Sequence, residues 1–488
     1  MNKKFIAFVG SCLLLGIPHV EAQFSKGWSY EAEAGVTFSG GEHTPFWLTA
    51  NRQGLSSIEK NNGYIRAGVF RAMEEDKRFS YAFGIDLAGA YRFTSAFIIQ
   101  QLYADIKYRC LRLSVGSKER FSAFNNPLLS SGGLTFSGNA RPIPQVRISI
   151  PEYTLVPGTK GWLAFKAHLA YGMFTDDHWQ RDFIQSPNQK HTKQVLYHSK
   201  DLYVRIGNRE KFPLLLEGGL EMAAQFGGQS ITGDKVIDMP NGFKDFFKVL
   251  IPEGGSDDTP ATEQSNIYGN HLGSWNFSLT WFAPGNWVVR PYYEHYFEDH
   301  SQMFGEYGWK DGLVGVELTM PENPFISSFV YEYLGMKDQS GAVYWDHTPE
   351  VPEQVSATDD YYNHYIYTGW QHWGQAIGNP LIMSPIYNTD GSIQFKSNRV
   401  KAHHFGIMGQ PHEDWKYRLL ISFSRNWGTY SVPFYEIEKS GNAMIEVTYQ
   451  PHQWAGWEFS LAGAIDRGKL LGRSAGGMLT IKKRGIIK

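Results

Sequence analysis

Cysteine is nearly absent: two in 488 residues, with Cys12 inside an N-terminal apolar stretch and only Cys110 beyond it. One cysteine closes no internal disulfide, which excludes a disulfide scaffold. Charge is also scarce, at 19% of residues, and the formal net charge of −2 removes any electrostatic reason to expect nucleic acid. Beyond the N-terminus no apolar run approaches the roughly 18 residues of a membrane helix, and the mean hydropathy is −0.36. Glycine has no period, which excludes a collagen-like chain, and the aromatic content excludes disorder. A soluble protein of this length would hold about two to four domains. What is present instead is rings: 15 Trp, 27 Tyr and 32 Phe, or 15% of the chain.

The N-terminus reads as an export signal. Asn2, Lys3 and Lys4 precede an apolar stretch from Phe5 to Ile17, which Pro18 ends. Val20-Glu21-Ala22 offers small residues at −3 and −1 of a cleavage site before Gln23. This is the pattern of a Sec signal peptide, too short to remain as an anchor. Val9-Gly10-Ser11-Cys12 faintly resembles a lipobox, but apolar sequence continues through Leu13, Leu14 and Leu15, where a lipidated cysteine would end it. The expected mature chain is residues 23–488, a single domain with a net charge of about −3.

That domain opens with strict alternation. Trp28, Tyr30, Ala32, Ala34, Val36 and Phe38 alternate with Ser29, Glu31, Glu33, Gly35, Thr37 and Ser39. The pattern returns over 79–93, 275–281, 417–423 and 457–461. Strands of this length with one apolar face suit a tilted membrane crossing. A soluble sandwich or propeller would show strands nearer 5 or 6 residues, or a repeat period, and neither is visible.

The connections point the same way. Every second one is short and polar or marked by Pro and Gly, as at Glu74 to Lys77, Pro157 to Gly161 and Pro284 to Asn286. The others include five long ones: 40–62, 118–144, 175–195, 228–272 and 337–399. Outer-membrane barrels have this asymmetry, with tight periplasmic turns and long external loops. The pattern predicts an all-β fold, a transmembrane antiparallel barrel of eighteen strands near 28–39, 63–73, 79–93, 98–108, 110–117, 145–155, 162–174, 196–207, 214–227, 273–283, 287–299, 311–320, 325–336, 400–409, 415–427, 442–450, 456–468 and 474–484. Alternation slips at 63–73, 110–117 and 287–299. The even number places both termini at the periplasmic end. Trp28, Phe79, Trp162, Trp287, Phe325, Trp415 and Trp457 mark one aromatic girdle, and Phe38, Phe93, Phe174, Phe226 and Trp427 the other. Cys110 falls at a turn or a lipid-facing position, which does not suit a catalytic role. The chain ends Arg484-Gly485-Ile486-Ile487-Lys488, without the terminal aromatic common in barrels.

Several short motifs occur in one order: Pro45-Phe46-Trp47-Leu48-Thr49-Ala50-Asn51, Ser137-Gly138-Asn139-Ala140-Arg141-Pro142-Ile143-Pro144-Gln145, and Gly172-Met173-Phe174-Thr175-Asp176-Asp177. Tyr197-His198-Ser199-Lys200-Asp201-Leu202-Tyr203, Gly369-Trp370 and Gly378-Asn379-Pro380-Leu381 follow. Across about 45–382 the chain thereby resembles the Wzi family, outer-membrane lectins of capsule assembly. The resemblance implies an eighteen-strand barrel with its mouth blocked by loops, which retains exported capsule at the cell surface. Family members also carry periplasmic helices. Here the one helix in the pattern, Gly242 to Leu250, falls in a connection that the parity places outside, so either the parity beyond residue 228 or the helix has to give.

A glycan site needs aromatic faces for sugar C–H surfaces, with carboxylates, amides and basic groups for hydroxyls. The 337–399 connection has that composition, with Tyr344, Trp345, Asp359, Asp360, Tyr361, Tyr362, Trp370, His372 and Trp373. Arg141, Asp176, Asp177, His178, Trp179 and Arg181 form a second set. The plainer reading is that the rings pack the long loop into a plug and that the second set is a hydrogen-bond network at the rim.

Two rivals come from other classes. A surface enzyme would use Asp-His pairs such as Asp176-Asp177-His178, Asp299-His300 or Asp346-His347 to activate water. Neighbouring side chains on a strand point apart, and G-x-S-x-G, H-E-x-x-H, C-x-x-C and phosphate-loop motifs are all missing. The tandem His403-His404 cannot chelate together for the same reason. The reading is therefore non-enzymatic, with no cofactor and no metal. A porin or transporter is the alternative, since eighteen strands enclose a wide lumen and Glu31, Glu33, Asp86, Arg92, Lys107 and Arg109 would line it. Five long loops, more than one constriction needs, favour a plugged barrel. Its expected partners are capsular or exopolysaccharide, outer-membrane lipid and the barrel-assembly machinery during biogenesis, with the protein acting as a monomer.

Overall fold

The structure, a computed structural model, describes residues 27–251, 268–298, 300–304, 309–323, 325–344 and 355–487. The leader expected at 1–22 lies outside the described residues, as do Asp299, Trp345, Asp346 and His347. Eighteen strands form one sheet. They are β1 (Trp28–Gly41), β2 (Asn62–Arg71), β3 (Phe79–Tyr91), β4 (Phe97–Tyr108), β5 (Leu111–Ser117), β6 (Gln145–Leu155), β7 (Leu163–Met173), β8 (Leu196–Ile206) and β9 (Leu214–Phe226). Then come β10 (Asn270–Ala283), β11 (Trp287–Phe297), β12 (Gly312–Thr319), β13 (Ser328–Gly335), β14 (Val400–His412), β15 (Trp415–Gly428), β16 (Pro433–Tyr449), β17 (Trp457–Gly468) and β18 (Ser474–Ile487). Each pairs antiparallel with its neighbours in sequence, and β18 closes on β1 from Trp28↔Ile487 to Gly41↔Ser474. Closure removes both sheet edges, so backbone groups of every strand are satisfied within the hydrocarbon.

The lipid-facing parity is apolar: Phe423 on β15, Ile445 on β16, Leu461 and Ile465 on β17 and Leu479 on β18 are all exposed. The lumen parity carries charge in opposite-sign groups, as where Lys482 and Arg484 meet Glu31 and Glu33, and Arg66 meets Asp86 and Glu119. Lys107 likewise pairs with Glu75 in a turn. Arg92 and Arg109 do not line the lumen; both are turn residues with positive φ whose guanidinium groups lie over Tyr91 and Tyr108. Alternation slips in β2 and β11 because their inward positions mix rings with charge: Tyr64 with Arg66, and Tyr292 and Tyr296 with Glu294.

The largest departure from the sequence reading is β16, which begins at Pro433 rather than at 442. It pairs Gly428↔Pro433, then runs in register from Asn426↔Glu438 after a bulge. The hairpin projects with both faces wet, so no apolar alternation marked it.

The periplasmic-end girdle is present, with Trp28, Phe79, Trp162, Trp287, Trp415 and Trp457 exposed. In the other girdle Phe38 is exposed, but Phe174 and Phe226 are buried beneath loops. Phe226 is covered by a helix, Phe243–Leu250, whose Phe246 stacks edge-on against it and lies 5.1 Å from the ring of Tyr171. Tyr171 donates a hydrogen bond to the Phe246 carbonyl (2.7 Å), and the Lys200 ammonium donates to that of Leu250. Tyr171, Lys200 and Phe226 all have the lipid-facing parity, so the helix lies on the outside of the wall at the loop end. Eight residues are too few to hold a helix alone; burial of Phe246 and Val249 against the barrel stabilises it by about 1.5–3 kcal/mol per side chain. Phe243 and Phe247 remain 80% and 54% exposed, away from the wall. Parity and helix are therefore both right, because an external connection folds back onto the barrel's outer surface.

The hydrophobic core is not between layers but inside the lumen. Trp47, Leu129, Leu134, Tyr361, Tyr362, Trp370, Ile382 and Phe395 are buried there, and every one belongs to a connection.

Candidate functional site

The 118–144 connection enters the barrel and is tied to inward residues of the wall. Lys166 on β7 donates to the Ala123 carbonyl (2.6 Å), and Arg290 on β11 to that of Phe124 (2.8 Å). Asn126 donates to Glu317 on β12 (2.6 Å). Glu332 on β13 accepts from the Ser130 hydroxyl (2.5 Å) and from the Ser131 amide and hydroxyl (2.7 and 2.6 Å). Glu294 accepts the Leu134 amide at 2.8 Å. His404 donates to the Leu129 carbonyl (2.8 Å), while His403 faces outward to Tyr331. The two rings of the tandem do point apart. A segment rich in Gly, Ser and Asn suits this position, since its backbone supplies the donors and acceptors that a polar lumen needs.

Two further connections lock onto the first. Asn51 bonds Asn139 and Ser131, and the Gln53 amide donates to the Gly138 carbonyl. From the 336–399 connection, Trp370 donates its indole N–H to the Thr135 carbonyl (2.8 Å), and Tyr362 its hydroxyl to that of Leu134. Asn379 reaches Ser131 at 3.0 Å. Gly378 passes so close to Tyr362 and the Leu134 carbonyl that a Cβ would overlap both. The motif residues at 45–51, 137–145, 369–370 and 378–381 thus interlock as one plug.

The described residues among those singled out from the sequence divide between its interior and its outer face. Trp370 is fully buried and stacks on Tyr197. Tyr361 is fully buried, donates to Asp311 (3.1 Å) and accepts from Gln302 (2.6 Å). Tyr362 is equally enclosed between Tyr296 and Phe395. These three rings pack the plug and have no face left for a ligand, a correction to their reading as sugar-stacking residues. Asp360, half-buried beside Asp359, holds Asn363 (3.1 Å) and Asn398 in the same packing. Trp179 is buried on the helix Asp177–Phe183, against Phe183.

The remaining residues converge. His372 accepts from the Thr175 amide through Nε2 (3.2 Å) and donates through Nδ1 to the Arg141 carbonyl (2.8 Å). Burial pushes His372 down to about 3, so the ring is neutral. The buried Asp176 carboxyl is raised by desolvation and accepts from Gln371 (3.0 Å) and the Trp373 amide (3.2 Å). Asp177 accepts the Gln194 amide, and His178 turns to Asp182 (2.9 Å) rather than to either preceding aspartate. Trp373 and Gly374 form the turn of a small hairpin, with φ of 54° and 80°. That is a type I′ geometry, which glycine accepts freely and tryptophan does not. Trp373 is held there by its indole N–H to the Thr175 hydroxyl (3.3 Å) and by Arg141, whose guanidinium lies 4.1 Å from the ring centroid. Burial lowers Arg141 to about 10, which leaves it cationic at neutral pH, and Thr94 accepts one of its N–H groups at 3.0 Å. Trp373 is half-buried, so this face joins a fixed, partly exposed ring to a cation, a hydroxyl and a carboxylate. Among the described residues no group of His, Cys, Asp and Glu is arranged to hold a metal.

Sequence reasoning missed the anchors Glu294, Glu317, Glu332 and His404. The signal was an acidic residue at inward parity in each of three successive strands.

Comparison with known proteins follows the same line. The family model described as "Capsule assembly protein Wzi" matches residues 48–381, well over half of the chain. No curated protein sequence matches. Among solved structures, the chain is similar to Wzi of Escherichia coli, described as an outer membrane protein involved in group 1 capsule assembly and a carbohydrate-binding β-barrel. The TM-score is 0.59 at 12% identity, covering 93% of this chain and 85% of that one. OccAB4 of Acinetobacter baumannii (TM-score 0.46, 9% identity, 94% and 98% covered) and OpdQ of Pseudomonas aeruginosa (0.46, 8%, 94% and 99%) align more loosely. The loop end of the barrel is accordingly the cell-surface end. The chain belongs to the Wzi family of capsule assembly proteins, β-barrels of the bacterial outer membrane.

Proposed function

We propose that this protein retains capsular or a related surface polysaccharide, without chemistry, on the outer face of its plug around Trp373. The observation that carries the reading is Trp373 itself, a tryptophan in left-handed backbone at a turn tip, braced by Arg141 and Thr175. A position of that kind costs about 1–2 kcal/mol relative to ordinary backbone and persists only where its surroundings over-determine it. A rigid ring loses little entropy when a sugar stacks on it, and Arg141 beneath suits a glycan carrying carboxylate or phosphate. Asp177 and Thr175 are the neighbouring groups for hydroxyls. The chain reaches this place by Sec export with cleavage after Ala22, folds with the barrel-assembly machinery and works as a single copy.

The test is made in cells. A strain carrying Trp373→Ala should keep normal amounts of folded barrel yet shed capsule into the medium, and Arg141→Gln should do the same more weakly. Full capsule retention by Trp373→Ala would remove this face from the site.

A further inference from the structure

A second surface, on the lipid-facing wall, is explained neither by the plug nor by glycan retention. Lys401, Arg425, Lys439, Arg467 and Arg473 lie at the loop end of the five consecutive strands β14 to β18. On β15, Arg425 has the parity of the exposed Phe423; on β17, Arg467 has that of the exposed Ile465 and Leu461. Lys439 likewise shares a face with Ile437 and Ile445. The row therefore sits just above the apolar band, at the depth of lipid headgroups.

The register makes the row unusual. Lys401 is paired directly with Arg425, and Arg425 directly with Lys439. Like charges directly opposite across a ladder are destabilising. None of the five forms an ion pair or side-chain hydrogen bond among the described residues, whereas Lys469 beside them is paired with Glu436. The projecting β15–β16 hairpin and the β17–β18 turn also enclose a groove of about 900 Å³. Ile465 lines it below Arg467, Ile437 lies on the loop side of Lys439, and Glu436, Lys469 and Arg473 line it as well. Cations set above the exposed Phe423, Ile445, Leu461 and Ile465 of the same wall suit an amphiphile with an anionic head.

We propose that this groove binds a phosphorylated glycolipid of the surrounding outer leaflet, its phosphates on Lys439, Arg467 and Arg473, with Arg425 beside Lys439 on the next strand, and its acyl chains along Ile465. Phosphate suits the row because arginine meets it with a planar pair of donors. The bound lipid would relieve the cross-strand repulsion and fix the barrel's depth, so that the plug face stands clear of the membrane.

The experiment titrates the full, detergent-folded barrel with bis-phosphorylated lipid A and with the same lipid enzymatically dephosphorylated, reading bound lipid by native mass spectrometry. The wild-type protein should prefer the phosphorylated form by about tenfold or more, since each basic residue near an anionic lipid surface contributes a factor of about five. The variant R425Q/K439Q/R467Q/R473Q should lose that preference. These side chains make no described bonds, so folding should survive, as checked by heat-shifted gel mobility; the wild-type comparison of the two lipids decides the matter even if it does not. Equal binding of both lipids by wild type, or an unchanged preference in the variant, would overturn the proposal. So would loss of capsular polysaccharide binding by the variant with lipid binding intact, which would make the row a glycan surface.

Discussion

Trp370 and Trp373 lie three residues apart, yet they should fail in different ways when cut to alanine. Trp370 is fully buried, stacks on Tyr197 and donates to the Thr135 carbonyl. Trp370→Ala leaves a cavity costing about 3–5 kcal/mol and an unpaired buried carbonyl worth about 1–3 kcal/mol more. The barrel ladder is untouched, so the loss falls on the plug. Even 3 kcal/mol makes its opening more than 100-fold more frequent. Trp373→Ala keeps the Cβ and with it the left-handed strain, and forfeits a cation–π contact worth about 0.5–1 kcal/mol at a partly exposed site, so plug stability should fall by about 1 kcal/mol or less. Hydrogen exchange at the amides of Ser131 and Leu134, which Glu332 and Glu294 accept, reads plug opening directly. We expect fast exchange there in Trp370→Ala, and near wild-type exchange with lost glycan retention in Trp373→Ala. Equal acceleration in both would refute the division of the plug into a packed interior and a binding face.

Other outcomes follow from the same geometry. Glu332 accepts from Ser130, from Ser131 twice and from the Tyr292 hydroxyl (2.5 Å). Glu332→Ala should weaken plug attachment by several kcal/mol, since a hydrogen bond to a charged acceptor is worth about 1.5–3 kcal/mol and four are lost; planar-bilayer recordings should show wild type closed and this variant flickering open. Acid should loosen the plug through His372. Its folded value of about 3 lies below the roughly 6.5 of an unfolded histidine, so between those values the unfolded chain holds a proton that the native one does not. Stability therefore falls as pH falls, by about 1.4 kcal/mol per unit and about 2 kcal/mol at pH 5. The raised Asp176 carboxyl pulls the opposite way, but equally in His372→Asn, so the difference between wild type and that variant isolates the histidine. A pH-independent difference in exchange between the two would contradict the assignment.

The barrel was legible because its rule is local. Lipid on one side and water on the other impose period 2, and strand after strand carries it. The rule fails where both faces share one environment, as in the β15–β16 hairpin above the membrane, or where rings point inward, as at Tyr64 and Tyr292. The plug was legible as composition and not as geometry. Trp370, Tyr362 and Trp373 look alike in sequence, but their burial is decided by Thr135, Leu134 and Arg141, more than two hundred residues away. The helix at 243–250 showed in its spacing, whereas its seat on the outer wall depended on Tyr171 and Phe226 having lipid-facing parity.

The most direct test of the account is equilibrium binding of capsular polysaccharide from the source organism to the purified, detergent-folded protein, with Trp373→Ala beside it. Saturable binding that unrelated glycans do not compete for, lost in the variant while gel mobility shows an intact barrel, is the expected result. No binding by an intact wild-type barrel, or equal binding by Trp373→Ala, would contradict a polysaccharide site on the face of this plug.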